Sequence, residues 1–402
     1  MRVVLAAPNI DGTDVGEAFV AFKWAEALAR EVDLTVLSFE RPGRVPLRDQ
    51  LPGAQVVTWV EPPWARLHER FNAMVKPAYP IFFRNVRRWM NGTGAKRFDL
   101  AHQIMPQAAR YPSPFRGLGL PFVIGPLGGA LDAPEAFRSE CGTAPGFTRL
   151  RALDALRFRR DPWLRASYGE AAAVLGVAPY VRDVLAATPI KRFETVLELG
   201  VDDLAPEVER RPTEGSLRLL HVGRGVRTKG LRDVVRALKH LIDMPGVSLT
   251  SAGLGEEIGI CREEAQRLGV ADRVTFLGRV ARDEVEDLYR THDVFAFPSF
   301  REPAGGVLYE AMRWGLPVIT AARGGPDWII DDACGVRLPI STPEALSWDI
   351  ATTVRSLAGA PEQRVRFGAG GRAKLLREGL WPVKAARLAA LFRSLIREPM
   401  AF

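Results

Sequence analysis

The chain has 402 residues, 47% of them hydrophobic and 25% charged, with a formal net charge of +8. That length exceeds one comfortable core and fits two domains of about 150–200 residues in a soluble globular protein. No uninterrupted apolar run approaches the ~18 residues that a membrane-spanning helix needs, and the three cysteines, Cys141, Cys261 and Cys334, form no Cys-x-x-Cys pair, which argues against a disulfide framework or zinc knuckle and for a reducing compartment. The charge is uneven. Residues 1–200 carry 26 Lys and Arg against 20 Asp and Glu, and the remainder carry 29 against 27. The excess fits an anionic ligand, an anionic membrane surface, or an arginine-rich genome.

The N-terminal "MRVVLAAPNI" has an apolar run of only five before Pro8, too short for a signal peptide. It reads as a first strand. "GEAFVAFKWAEALAREV" follows with helical spacing. "DLTVLSF", "AQVVTWV", "FDLAHQI", "PFVIGPLGG" and "AAAVLGVAP" are short apolar runs bounded by Gly, Pro or charge. Residues 60–98 stand apart, with Arg and Lys interleaved with Trp, Phe and Tyr. They read as a helical excursion on the first sheet, or as a basic-aromatic surface at 64–97 facing a membrane or an acceptor. A second series starts near residue 217 with "LRLLHVGR", "VSLTSAGLG", "RVTFLGRV", "VFAFPS" and "LPVITA" as strands, each pair separated by a helical stretch. Apolar strands alternating with helices imply parallel sheets covered on both faces. The boundary is expected in "ELGVDDLAPEVERRPTEGS", rich in Pro, Gly and charge.

"FPSFREPAGGVLYEAMRWGLPVITAARGG", Phe297–Gly325, places Glu302 and Glu310 around the pair Gly305-Gly306. Eight residues of helix separate two carboxylates by about 12 Å along the axis. A matched acid and base across a glycosidic bond needs roughly 5–9.5 Å. The glycines suggest another arrangement. A Gly-Gly at a helix start exposes unpaired N–H groups to an anion such as a diphosphate. Sugar hydroxyls donate well to carboxylates. One nucleotide sugar could span this helix start, with Glu302 on its sugar side and Glu310 on its ribose side. "HVGRGVRTKG" closes another strand and offers Arg224 and Lys229, two cations able to neutralise a diphosphate. "SAGLGEE" adds a third glycine loop with Gly253 and Gly255, although its Gly-x-Gly lacks the third glycine of a dinucleotide fingerprint.

The order "GR…TKG", "GLGEE", "VTFLGRV", "FPSF…E-x7-E…GLPVITA…GG" resembles glycosyltransferase family 4. The likeness is strongest from Leu217 to Pro339 and looser before it. It implies an α/β chain of GT-B architecture, with two Rossmann-like domains facing across a cleft. Residues 1–200 would be the acceptor domain, residues 201–383 the nucleotide-sugar domain, and a helix at about 384–402 would pack back on the first. The resemblance implies a retaining, metal-independent bacterial glycosyltransferase, with a UDP-sugar as the expected donor. The acceptor would be a hydroxyl of a glycan, glycolipid or small natural product.

The same resemblance implies the roles. Arg224 and Lys229 would bind the leaving diphosphate, Glu302 the sugar hydroxyls and Glu310 the ribose. Gly253 and Gly255 would line the donor site. Ala304, Gly305, Gly306, Val307 and Leu308 would present backbone to sugar and phosphate, and Arg279 and Val280 would flank the base. In the first domain, Gly16 would open the first helix near the diphosphate, and His102 would sit in a loop facing the sugar. Two positions depart from the family pattern: Pro303-Ala304-Gly305 replaces Gly-Phe-Gly, and Val15-Gly16 replaces Gly-Gly. No cofactor, metal or nucleic acid is implied. The expected place is the cytoplasm, with peripheral contact to the inner membrane face through 64–97. The rival readings are a nucleotide-sugar epimerase or hydrolase on the same fold, and a non-catalytic nucleotide-sugar binder.

Overall fold

The computed structural model describes residues 1–66, 75–142, 152–208 and 216–397. It divides into two compact units, Met1–Ala130 with Gly146–Glu198 and Trp381–Phe402, and Leu131–Pro145 with Leu199–Leu380. The division therefore falls between Glu198 and Leu199 rather than at 200, and residues 131–142 belong to the second unit, not the first as their position in the chain suggested. The reason is packing. Phe137 is fully buried in the second unit's core, with its ring 4.4 Å from that of Phe300.

The first unit holds seven parallel strands: β1 (Arg2–Asn9), β2 (Asp33–Glu40), β3 (Gln55–Val60), β4 (Leu100–Gln103), β5 (Phe122–Leu127), β6 (Ala173–Gly176) and β7 (Phe193–Thr195). Their order is β3-β2-β1-β4-β5-β6-β7. Six consecutive residues of β1 are buried, because helices cover both faces of a parallel sheet. On one face Val4 and Ala6 join a core with Phe82, Val86 and Met90. Those three recur at helical spacing along the helix Tyr79–Thr93, which explains why this basic-aromatic stretch is helical. Its long side chains divide between core and surface. The helix Glu17–Leu28 buries Trp24, whose indole N–H donates to the Glu198 carbonyl at 2.7 Å. Trp381 meets Trp24 edge-on at 5.4 Å, so the helix Trp381–Arg397 lies against Glu17–Leu28.

The second unit has β8 (Ser216–Val222), β9 (Gly246–Ala252), β10 (Val274–Gly278), β11 (Val294–Phe297), β12 (Val318–Ala321) and β13 (Gly335–Leu338). All are parallel, in the order β10-β9-β8-β11-β12-β13. The strand order reverses between β8 and β11, which pair through Val294↔Leu219 and Phe295↔Leu220. Ligands of open α/β sheets bind beyond the carboxyl ends of strands at such a reversal. Among the described residues no helix is long and apolar enough to cross a membrane.

Candidate functional site

The loops that leave β8, β9, β10 and β11 carry most of the residues singled out from the sequence. The first two are zipped backbone to backbone. Gly223 N–H donates to Ala252 O at 3.0 Å, Gly225 N–H to Leu254 O at 2.8 Å, and Glu257 N–H to Gly225 O at 3.0 Å. A Cβ on Gly253 would lie 1.8 Å from Gly223 O, and one on Gly255 would lie 2.1 Å from Gly225 O. Close backbone approach therefore requires both glycines whatever they do toward a ligand. Arg224 stands between the two zipped positions. It is exposed, and its guanidinium has no partner among the described residues.

Lys229 lies further along the β8 loop, which is fixed to the β11 loop at two points, through Ser299 and Pro298, and to its own strand through His221. The Thr228 carbonyl accepts from Ser299 Oγ at 2.9 Å. The Lys229 carbonyl accepts from His221 Nε2 at 3.1 Å. Gly230 has φ +81° and lies so near Pro298 that a Cβ would be 2.4 Å from its carbonyl oxygen. The result brings two predicted residues into direct contact: Lys229 Nζ forms an ion pair with Glu302 Oε2, with side chains only 13% and 14% exposed. The ammonium also sits 5.5 Å from the Phe297 ring centre, a cation–π geometry.

Glu302 is placed by the second glycine pair of its stretch, whose purpose the sequence left open. Gly325 N–H donates to the Glu302 carbonyl at 2.9 Å. A Cβ on Gly324 would fall 2.4 Å from Glu302 O, and one on Gly325 would fall 2.1 Å from Ala304 O. Gly324 and Gly325 thus let the Glu302–Ala304 loop rest on the start of the helix Gly324–Ile329. Ala304 is buried beneath that loop. Gly305 has φ +91° and caps the helix Gly306–Arg313. The space beside Gly306 was expected to admit a ligand. It is occupied instead by Leu199, whose Cδ1 would stand 2.6 Å from an added Cβ. The N–H groups of Gly306 and Val307 still begin a helix and lack intrahelical acceptors. Leu308 is buried.

Glu310 lies one turn further on and is exposed, with Oε2 accepting from the buried Tyr289 hydroxyl at 3.1 Å. That bond holds it away from Glu302's partner, so the two carboxylates have separate environments. Arg279 is exposed and Val280 half-buried, directly after Gly278. The Gly278 carbonyl accepts from Gly253 N–H at 2.8 Å, which ties the β10 loop to the glycine zip.

In the first unit Gly16 has φ +66° and ψ −137° and starts the helix Glu17–Leu28, where a side chain would be strained. His102 is a correction. It is the third residue of β4, not part of the loop beyond it, and it is fully buried. Its Nε2–H donates to the Gly125 carbonyl at 2.6 Å, and its ring meets Phe392 edge-on at 5.3 Å. Burial lowers its pKa to about 4 despite that hydrogen bond, so it is neutral and inaccessible. All four residues of β4 are buried, because its sheet is covered on both faces. His221, which no sequence motif singled out, is equally buried and supports the Lys229 carbonyl. Burial lowers its pKa to about 4, against the hydrogen bond to Lys229. Among the described residues no group of three or more His, Cys, Asp or Glu side chains is placed to hold a metal ion.

Residues 207–374, which cover most of the second unit, match the family of glycosyl transferases group 1. The chain is 31% identical over 201 residues to glycogen synthase of Mycobacterium tuberculosis (strain H37Rv), a span covering 49% of this chain and 48% of that protein. It spans half or less of the curated glycosyltransferases it matches at 30% identity or more. The sucrose-phosphate synthase of Thermosynechococcus elongatus superposes with a TM-score of 0.66 at 18% identity, over 98% of both chains. Anabaena Alr3699/HepE in complex with UDP and glucose does so with a TM-score of 0.61 at 17% identity, over 98% of this chain and 100% of that one. The match to the group 1 family lies within the second unit, and the two parallel α/β sheets are those of the GT-B fold.

Proposed function

We propose that this protein is a retaining glycosyltransferase that moves a sugar from a nucleoside diphosphate sugar to an acceptor hydroxyl. The observation that carries the reading is the Lys229–Glu302 pair at the strand-order reversal of a unit matching the group 1 family. A cation for the diphosphate and a carboxylate for the sugar stand next to each other, where the anomeric bond of a donor would lie. Arg224, exposed and without a partner among the described residues, supplies a second positive charge on the same loop. In the reaction the bond from the anomeric carbon to the diphosphate oxygen breaks, and a bond from that carbon to the acceptor oxygen forms on the same face. The departing phosphate oxygen takes the acceptor's proton. Lys229 and Arg224 stabilise the charge that grows on the diphosphate, an oxyanion-type contribution. Glu302 orients the sugar hydroxyls and offsets positive charge developing on the ring. Glu310 holds the ribose, the N–H groups at the start of Gly306–Arg313 meet phosphate, and Arg279 and Val280 flank the base. His102 has no part in this scheme.

Uridine diphosphate is the nucleotide we expect, with HepE, a GT-B protein crystallised with UDP and glucose, as support. The two cations replace a divalent ion, so the reaction is expected to run without metal. The acceptor is a hydroxyl of a glycan, glycolipid or small natural product. The test is product analysis with UDP-, GDP- and ADP-sugars, with and without an alcohol acceptor, in the presence of EDTA. A new glycoside that forms only with acceptor supports transfer. Free sugar or an epimerised donor without acceptor supports the hydrolase or epimerase alternative. Activity lost in EDTA and restored by magnesium contradicts the metal-free mechanism.

A further inference from the structure

Arg227 is among the most enclosed charges in the second unit. It is 4% exposed, while Asp233, Phe137 and Phe300 around it are fully buried. Its guanidinium grips both oxygens of Asp233 at 2.6 and 2.8 Å. Nε donates to Glu140 at 2.8 Å, and Nη2 lies 2.6 Å from the same carboxylate. The Phe137 and Phe300 rings, 4.4 Å apart and in contact with each other, lie together on one side of it, 5.4 and 5.1 Å from their centres. Burial opposes its charge, but the carboxylates of Asp233 and Glu140 outweigh burial and raise its pKa. Glu140 in turn pairs with Arg236 at 2.8 Å.

The partners come from separate pieces of chain. Arg227 precedes Lys229 by two residues. Phe300 precedes Glu302 by two. Asp233 belongs to the helix Leu231–Lys239, which follows the Lys229 loop. Phe137 and Glu140 belong to the excursion 131–142. That excursion is also held by Arg301 Nε donating to Leu131 O at 2.8 Å and Arg323 Nη2 donating to Asp132 O at 2.9 Å. Arg301 and Arg323 reach the excursion from the β11 and β12 loops. Arg227 reaches it from the β8 loop, with Phe300 of the β11 loop 5.1 Å from the same guanidinium.

We propose that Arg227 is a positioning residue: it sets Lys229 against Glu302 by fastening the loops after β8 and β11 to the 131–142 excursion. This rests on the reading that Lys229 and Glu302 face a sugar donor. A planar fork that grips two carboxylates at once, with an aromatic pair on one side, is a task for Arg and not for Lys, whose ammonium is a point charge. Arg227→Lys keeps a cation beside the buried Asp233, so no lone charge is left in the core. It removes the two-point grip on Asp233 and the second pair of contacts to Glu140. Displacements of about 1 Å at reacting groups can cost on the order of 10² in rate.

The experiment compares wild type, Arg227→Lys and Glu140→Gln as full chains, the last leaving the Asp233 pair intact. Amide hydrogen exchange is read at Gly230, whose N–H donates to the Arg227 carbonyl, and at Gly325, whose N–H donates to the Glu302 carbonyl. Expected is exchange at least tenfold faster at both amides in Arg227→Lys, and a smaller rise in Glu140→Gln, with β8 and β11 amides unchanged. Turnover of a UDP-sugar should fall about 10²-fold with KM within about threefold. A folded Arg227→Lys protein whose exchange at Gly230 and Gly325 matches wild type overturns the proposal. Should Arg227→Lys fail to fold, wild-type exchange in Glu140→Gln has the same force. A wild-type chain that turns over no nucleotide sugar refutes the functional reading, while the exchange comparison still decides whether Arg227 holds the loops.

Discussion

Lys229 and Glu302 are 73 residues apart in the chain, yet they form an ion pair where the loops after β8 and β11 meet. Neither charge is idle before a ligand arrives. On the proposed reading a donor exchanges this contact for two others, phosphate on the lysine and sugar hydroxyls on the glutamate. The pair keeps each side chain extended and correctly aimed meanwhile, which lessens the ordering that binding would otherwise require.

The two cations are expected to be separable in their effects. Lys229→Ala removes an oxyanion-type stabiliser, a loss of about 2.7–4 kcal/mol, or on the order of 10²–10³ in turnover. Arg224→Ala should lower turnover by a similar factor but leave the melting midpoint unchanged, because Arg224 is exposed and its guanidinium has no partner among the described residues. Steady-state kinetics and thermal melts of both variants check this. A folded variant at near-wild-type turnover contradicts the assignment for that residue.

The two glutamates should behave differently toward free UDP. Glu310→Gln loses a charged acceptor for the ribose, and hydrogen bonds to charged groups are worth about 1.5–3 kcal/mol. Its affinity for UDP should drop roughly ten- to a hundredfold. Glu302→Gln releases Lys229 from its partner, so UDP affinity should hold or rise while turnover with the sugar donor falls. Calorimetric titration of each variant with UDP distinguishes them. An equal loss of UDP affinity in both would end the division between sugar side and ribose side.

Acid should destabilise each half of the fold through one buried histidine. His102 and His221 have an ordinary value of 6.5 and are lowered to about 4 by burial. Between those values the unfolded chain holds more protons than the folded one, so stability falls as pH drops from 6.5 toward 4 and levels off below that. Each tenfold difference in proton affinity is worth about 1.4 kcal/mol, so His102 alone accounts for roughly 2 kcal/mol between pH 6.5 and pH 5. Urea unfolding of His102→Gln at pH 7 and pH 5 should show a correspondingly shallower loss. An unaltered loss means that His102 is not the group responsible.

The helix Tyr79–Thr93 turns Arg84 and Arg88 outward, with Lys96 and Arg97 exposed just beyond its end. If this face meets an anionic membrane, the chain should co-sediment with vesicles containing phosphatidylserine and be released as salt rises. Arg84→Glu/Arg88→Glu should abolish that binding without changing turnover on a soluble acceptor. Equal, negligible binding to anionic and neutral vesicles leaves the stretch as a helix packed on its sheet. Residues 67–74 of the expected surface lie outside the described residues.

Strands such as "LRLLHV" and "VFAFPS" were legible because a buried parallel strand is a continuous apolar run between breakers, and Arg224, Lys229, Glu302 and Glu310 could be placed because each follows such a strand. β7 and β13 were not. They are edge strands of three and four residues, and Glu194 and Arg337 within them break the apolar signal. His102 was expected in the loop after β4 and lies within the strand, next to its last residue, since a sequence does not say where β4 stops; Gln103, Ile104 and Met105 after it are buried as well. The Lys229–Glu302 contact, the glycine zip and the Arg227 clamp join residues tens of positions apart, and no local pattern encodes a long-range meeting. Gly324-Gly325 did carry a signal in its doubled glycine, but its partner, the Glu302–Ala304 backbone, became visible only in three dimensions.

The chain passes between its two units four times, and the 131–142 excursion gives Phe137 and Glu140 to the second of them. The module that would recognise a donor is therefore not a continuous stretch of gene. A chimera exchanging residues 201–383 for a relative's equivalent would pair a foreign Lys229 loop with a native Phe137 and Glu140, and would strand the recipient's brace. Recombination can transplant this donor preference intact only by carrying two separated segments together, so the residues around Arg227 and those of 131–142 must be inherited as one.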